Sequence, residues 1–253
     1  MTDALLTATG LHKSFGGVRA VHDISLRIPE HQVFAVIGPN GAGKSTLMNL
    51  LTGISQPDAG ALGFRGQEMA GMRSHARVRL GLARTFQKIR LFKQLSLLQN
   101  VLTGFHTHHH IPWWEHVLPG RALRADRERC HARALELLEF VGLRAQADAR
   151  AGALPYGSQR MLEIARALAT EPKLFMLDEP AAGLNAAEVD FLLSRLREMK
   201  SRGITVVVVE HNMDLVMNVA DHVFVMDHGE YLFDGAPAEV QNNDAVIAAY
   251  LGV

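Results

Sequence analysis

The segment Gly38-Pro39-Asn40-Gly41-Ala42-Gly43-Lys44-Ser45 fits the pattern G-x-x-x-x-G-K-[ST] at every fixed position, and no other stretch restricts the fold as tightly. Such a loop works at the junction of a strand and a helix, where backbone N–H groups and the positive end of the helix dipole converge on one anion. Both neighbours are present. Val33-Phe34-Ala35-Val36-Ile37 is a continuous apolar run, the pattern of a strand buried on both faces. Lys44 to Leu51 carries good helix formers and closes at Gly53, a C-terminal glycine cap. The loop from Gly38 to Thr46 is therefore predicted to cradle the phosphates of ATP, with Lys44 neutralising β/γ charge and the Ser45 hydroxyl ligating Mg²⁺.

A phosphate loop needs a second, acidic element, and Leu174-Phe175-Met176-Leu177-Asp178-Glu179 supplies an apolar strand ending in paired acids. Taken alone, such a pair reads as a solvated strand end or a helix cap. Beside the phosphate loop, Asp178 is predicted to hold Mg²⁺ through its water shell and Glu179 to polarise the attacking water as general base. Thr205 to Val209 is a further buried strand, and the helical stretches between these strands give the alternation of a parallel α/β sheet. Between Gln87 and Ala153 no comparable strand is legible, while Ala134, Leu137, Leu138 and Val141 recur at helix spacing, so this region reads as a helical insert. Met161, Ile164, Ala165 and Leu168 extend the same period towards Pro172, returning the chain to the sheet. Val223 to Met226 and Tyr231 to Phe233 flank Asp227-His228-Gly229-Glu230 as a hairpin.

Composition excludes several classes of function. Lys+Arg and Asp+Glu both number 26, which leaves no net basic field and argues against a nucleic-acid partner. Hydrophobic residues make up 48 %, yet the most concentrated run, Ile204 to Val209, is far short of the roughly 20 residues a membrane-spanning helix needs. Any membrane association must then come through a partner. Met1 to Thr9 lacks the basic and apolar segments of a secretory signal, and a single cysteine, Cys130, forms no intramolecular disulfide; both fit the cytoplasm.

With these elements located, the chain resembles the ABC ATPase family over essentially its whole length, because that family's further motifs have candidates in the right order. Phe15, in Lys13-Ser14-Phe15-Gly16-Gly17, matches the aromatic that stacks on adenine; Gln87, in Thr85-Phe86-Gln87, matches the glutamine that touches Mg²⁺ and senses the γ-phosphate. Pro155, Tyr156, Gly157, Ser158 and Gln159 occupy the place of the signature, Asn185 lies in that of the D-loop, and His211 matches the switch histidine on the γ-phosphate. Singly, Phe15 reads as core and Gln87 as a surface amide; only the ordered set promotes them. The resemblance implies a single α/β P-loop NTPase domain over 1–253, with a parallel-sheet core, an N-terminal antiparallel β subdomain and a helical subdomain inserted at roughly 88–165. It also implies a head-to-tail dimer in which each phosphate loop meets the partner's signature, peripheral at the cytoplasmic membrane face through permease subunits.

The signature departs from the common Leu-Ser-Gly-Gly-Gln. Pro155 replaces the serine whose hydroxyl would reach the nucleotide held by the partner subunit, and Ser158 replaces the glutamine. Proline suits the first turn of the helix that follows, so geometry is expected to survive while one contact is lost. Asn185 stands where the D-loop usually has aspartate. Finer resemblance, in Arg84 to Gln87, Leu177 to Asn185, Glu210-His211-Asn212-Met213 and Ala248 to Gly252, points to the ATP-binding subunits of bacterial high-affinity branched-chain amino acid importers. These work with a second, often paralogous ATPase, two permeases and a periplasmic binding protein. The alternatives are the ATPase of lipopolysaccharide transport, similar in its C-terminal ending, and a soluble ABC ATPase; a GTPase is disfavoured by the lack of an Asn-Lys-x-Asp motif. His106, His108, His109, His110 and His116 surround Pro112, Trp113 and Trp114, but without nearby cysteines this reads as an exposed loop rather than a metal site.

Overall fold

The unbroken apolar run at residues 33–37 is a strand with all five side chains buried. In the computed structural model, which describes residues 4–106 and 121–251, the chain begins with β1 (Ala4–Phe15), β2 (Val18–Pro29), β3 (Val33–Ile37), α1 (Lys44–Leu51), β4 (Ala59–Phe64) and β5 (Gln67–Glu68). It continues through α2 (Ser74–Arg79), β6 (Leu82–Arg84), α3 (Leu97–Phe105), α4 (Arg121–Phe140), α5 (Tyr156–Leu168), β7 (Leu174–Asp178) and α6 (Ala186–Ser201). Then follow β8 (Thr205–Val209), α7 (Met213–Val219), β9 (His222–Asp227), β10 (Glu230–Gly235), α8 (Pro237–Gln241) and α9 (Asp244–Leu251).

Two sheets form among these elements: an antiparallel four-stranded sheet in the order β2-β1-β4-β5, and a six-stranded sheet in the order β10-β9-β3-β8-β7-β6. The larger sheet is parallel except for its edge strand β10, which returns antiparallel to β9 through a turn with positive φ at both His228 and Gly229. Two positive φ values match a hairpin's twist, as the Asp227 to Glu230 sequence predicts.

Continuous apolar strands arise because both faces of this sheet are covered. Phe175, Leu177, Val206 and Val208 point to one face and join Val101, Leu138, Leu162 and Ile164 of α3, α4 and α5 in a single core. Their alternates Leu174, Met176, Val207 and Val209 point to the other face, against Leu47 and Leu50 of α1 and Leu6, Ile24 and Leu62 of the antiparallel sheet. Each such side chain contributes about 1.5–3 kcal/mol by leaving water. A third cluster sets Ala35, Ile37, Val223 and Val225 against Val216, Val240 and Val246.

The predicted end of α1 is realised as a tight left-handed cap. Gly53, at φ 73, donates its N–H to Leu50 O at 3.2 Å, and Ile54 donates to Asn49 O at 3.0 Å. The last carbonyls of α1 are taken by a buried guanidinium: Arg77 Nη1 on α2 donates to Leu50 O at 2.6 Å and to Leu51 O at 2.9 Å. A cation at this end also complements the helix dipole.

Candidate functional site

The N-terminus of α1 carries the phosphate loop, and Lys44 folds back over it. Its Nζ is buried and donates to Gly38 O at 2.7 Å and Pro39 O at 2.9 Å. Burial lowers its pKa, while the carboxylates of Glu179 and Asp178 work in the opposite direction. Gly43 caps α1 at φ 93, and a Cβ there would stand 2.2 Å from Ala20 O, so only glycine fits. A cleft of about 370 Å³ lies over the loop, lined by Asn40 to Thr46, by Val18, Arg19 and Ala20 of β2, by Glu179 and by His228. The β9–β10 turn is bound to the loop directly, Gly229 N donating to Ala42 O at 3.1 Å.

The paired acids end β7 next to this loop. Asp178 is buried, and Arg84 Nη2 on β6 stands 3.1 Å from its Oδ2. Nη1 of the same guanidinium donates to Asn49 Oδ1 at 2.8 Å and Thr52 Oγ1 at 3.0 Å, tying β6, β7 and α1 together. Burial raises the Asp178 pKa; Arg84 counters this, and the neighbouring Glu179 charge adds to the rise. Glu179 sits at φ 45, a left-handed conformation that costs a non-glycine residue on the order of 1–3 kcal/mol and is held by its N–H bond to Val209 O at 2.9 Å. Gln87 Nε2 donates to Glu179 Oε2 at 3.0 Å, and His211 Nδ1 lies 3.9 Å from Glu179 Oε1. Glu210, fully buried, accepts from Ala181 N at 3.0 Å and His211 N at 3.3 Å, joining the loops after β7 and β8; burial raises its pKa against these bonds.

Lys44, Ser45, Asp178, Glu179, Gln87 and His211 are thus gathered at the ends of β3, β6, β7 and β8. Phe15 is placed differently: half exposed at the end of β1, it pairs in register with Val18, and it is Val18 that lines the cleft. The signature residues lie away from the cleft, at the start of α5. Pro155 is the N-cap of that helix rather than part of its first turn, a correction of one position: its ψ of 157 is extended, and its carbonyl accepts Gln159 N at 3.0 Å. The amide side chain of Gln159 donates to Leu154 O at 2.8 Å. The ring of Tyr156 lies against Gly183, where a Cβ would be 3.0 Å from Cε1. Asn185 makes a capping box for α6, its side chain accepting Glu188 N at 3.0 Å while its own N–H donates to Glu188 Oε2 at 2.9 Å.

Sequence reasoning missed Arg84 as a site residue, since nothing local reveals a pairing across 94 positions. It also missed Arg19 and His228 in the cleft wall. The Asn185 cap was missed as well, although Asn-x-x-Glu before a helix is the capping-box signature that could have found it. Of the histidine-rich segment, His106 closes α3, and residues 107–120 lie outside the described residues. Among the described residues no group of three or more His, Cys, Asp or Glu is placed to hold a metal ion, and no helix is long and apolar enough to cross a membrane.

Residues 21–182 match the family model described as ABC transporter, and residues 232–253 that described as branched-chain amino acid ATP-binding cassette transporter. The chain is 42 % identical over 253 residues to the high-affinity branched-chain amino acid transport ATP-binding protein BraF of Pseudomonas aeruginosa, covering 100 % of this chain and 99 % of BraF. It is 39 % identical over 255 residues to LivG of Escherichia coli K12, of the same description and with the same coverage. Among solved structures, the ADP conformation of MJ1267, an ATP-binding cassette of an ABC transporter, superposes with a TM-score of 0.86 at 31 % identity, covering 100 % of both chains. A nucleotide-free ATP-binding cassette from an ABC transporter gives 0.85 at 30 % identity, covering 99 % of this chain and 100 % of the other.

Proposed function

Because this chain belongs to the ABC transporter ATP-binding family, we propose that it is the subunit whose ATP hydrolysis powers a branched-chain amino acid importer. The observation that carries the chemistry is that Lys44 and Glu179 line one cleft at the start of α1 while Gln87 donates to Glu179. The cargo rests on resemblance along the full length to BraF and LivG, cassettes described as serving branched-chain amino acids.

In this reading Lys44 exchanges its bonds to Gly38 O and Pro39 O for the β- and γ-phosphates, and the loop amides hold the remaining phosphate oxygens. The Ser45 hydroxyl, the Asp178 carboxylate and the Gln87 amide oxygen form a set of hard oxygen donors that suits Mg²⁺, whose charge would neutralise the phosphate oxygens. Glu179 orients and deprotonates the attacking water; Gln87, already 3.0 Å from it, and His211 report on the γ-phosphate. Val18 lines the adenine side of the cleft, and the exposed ring of Phe15, its register partner at the end of β1, is free to stack on the base. A second cassette, a paralogue or a copy, completes the site head to tail, so Pro155 to Gln159 act on the partner's nucleotide. The helical insert, roughly 88–165, passes closure of this dimer to a permease pair at the cytoplasmic membrane face, and a periplasmic binding protein delivers the cargo. A cleft of about 570 Å³, lined by Arg90, Leu91, Phe92 and Arg166 just after Gln87 in the chain, supports docking of the permease on this side.

The test is reconstitution with the cognate permeases and binding protein, measuring leucine uptake and ligand-stimulated ATPase. Lys44→Ala should abolish nucleotide binding or turnover, and Glu179→Gln should keep ATP bound and stabilise the closed dimer. Full turnover in Glu179→Gln would refute the assigned base, and uptake indifferent to branched-chain amino acids would refute the cargo.

A further inference from the structure

Next to the signature, α5 buries an ion pair that the reaction as described does not use. Arg160 is 0 % exposed and Glu163 1 % exposed, with Arg160 Nη1 at 2.9 Å from Glu163 Oε2. A buried pair gives little net stability, since desolvation offsets the attraction. Burial indeed raises the Glu163 pKa against the pull of Arg160 and the Arg90 amide. Arg160 Nε, also buried, has no hydrogen-bond partner. The fork of the guanidinium is committed elsewhere: Nη1 donates to Phe86 O at 2.9 Å and Nη2 to Gln87 O at 3.0 Å. Glu163 Oε1 accepts Arg90 N at 3.2 Å. One turn of the signature helix therefore grips both ends of the segment from Phe86 to Arg90, and that segment carries the side chain bonded to Glu179. Nη2 also lies 3.4 Å from Tyr156 Oη within the signature itself.

We infer that Arg160 and Glu163 are positioning residues that fix Gln87 relative to Glu179 and make the signature helix and the Gln87 segment move as one body. The inference rests on the reading of Gln87 and Glu179 as catalytic machinery. The same contacts give the pair a role in coupling: whatever shifts Gln87 in this subunit's own site also shifts Tyr156 and its neighbours, which serve the partner's site. Arginine is required because its planar fork reaches two carbonyls at once, which the single ammonium of lysine does not.

Arg160→Lys keeps the buried positive charge opposite Glu163 and releases the grip on Phe86 and Gln87. In the full-length chain, expected results are an unchanged Kd for a fluorescent ATP analogue and a kcat lowered roughly tenfold or more, as misplacement of catalytic groups produces. Combined with Gln87→Ala, it should lower kcat no further than Gln87→Ala alone, because the two act through one group. A double variant, Arg160→Met with Glu163→Leu, removes the pair without leaving a lone buried charge and should hold a higher Tm than Arg160→Met alone while showing the same fall in kcat. Wild-type kcat in either variant overturns the inference. So do losses that multiply with Gln87→Ala, and so does a fall in nucleotide affinity matching the fall in kcat, which marks general damage. Glu179→Gln in the same assay separates the two levels: retained turnover there refutes the site itself, whereas lost turnover there with wild-type kcat in Arg160→Lys refutes only the positioning role.

Discussion

Replacing Arg84 with methionine should destabilise this protein more than any exposed substitution, because it strands Asp178. The Arg84 guanidinium stands 3.1 Å from Asp178 Oδ2, and both side chains are 8 % exposed, so little water is available to replace the lost partner. Breaking a buried pair from one side costs about 3–5 kcal/mol, since the remaining charge stays desolvated. The bonds to Asn49 Oδ1 at 2.8 Å and Thr52 Oγ1 at 3.0 Å are lost with it, and through them the brace between α1 and the acidic strand. For a chain of this size, at about 2–4 °C per kcal/mol, the expected fall in Tm is roughly 6–20 °C. The assay is thermal and urea unfolding of Arg84→Met, Asp178→Asn and the double variant. The double variant should recover much of the loss, because no charge is left unpaired. A loss below about 1 kcal/mol in Arg84→Met, or a double variant no more stable than Arg84→Met, would refute the reasoning.

Further outcomes follow from other parts of the site. Gly43→Ala sets a Cβ 2.2 Å from Ala20 O at a φ of 93, so nucleotide affinity should fall by tenfold or more, at a cost of more than about 1.4 kcal/mol; an unchanged Kd in a fluorescent-nucleotide titration would contradict this. Pro155→Ser installs a preferred N-cap residue on α5 and restores a hydroxyl for the partner's nucleotide, so ATPase of the assembled complex should rise or stay level and Tm should not fall; a large loss of rate would show another role for the proline. Glu210→Gln should alter the pH profile of stability. The folded pKa of Glu210 is raised above its unfolded value, so the folded chain holds the proton more tightly, and this contribution is full below pH about 4.5 and lost as pH rises through the raised value. The Tm of Glu210→Gln minus that of wild type should therefore grow more positive as pH rises from about 4.5 towards neutrality; a constant or opposite trend would sink the argument.

The parts of the fold legible in the sequence are those governed by local pattern. Val33 to Ile37 and Thr205 to Val209 were readable as strands because both faces of the sheet are covered and every residue but Thr205 is apolar. The phosphate loop was readable because backbone wrapping demands glycine at fixed spacing. The β1 and β2 strands were expected only through family resemblance: their pairing passes through several register shifts, which break the alternation a sequence reader relies on. Long-range polar pairing was invisible for a different reason. Arg84 meets Asp178, and Arg160 meets Phe86 and Gln87, only after segments far apart in sequence lie side by side, and an arginine carries no sign of its eventual partner. The left-handed backbone of Glu179 was equally hidden, since glutamate is not a residue that advertises positive φ.

The junction of Gly53 and Arg77 bears on how this sequence can diversify. Any side chain at Gly53 would start 2.7 Å from Arg77 Nε and 2.9 Å from Met72 O, while Arg77 itself is kept in the interior by the carbonyls of Leu50, Leu51, Met69 and Met72. Neither residue can drift alone: a larger residue at 53 expels the guanidinium, and a shorter one at 77 leaves helix-end carbonyls unbonded in the core. Across descendants of this sequence the two positions should change together or not at all, forming one heritable unit at the far end of the helix whose near end carries the glycine loop.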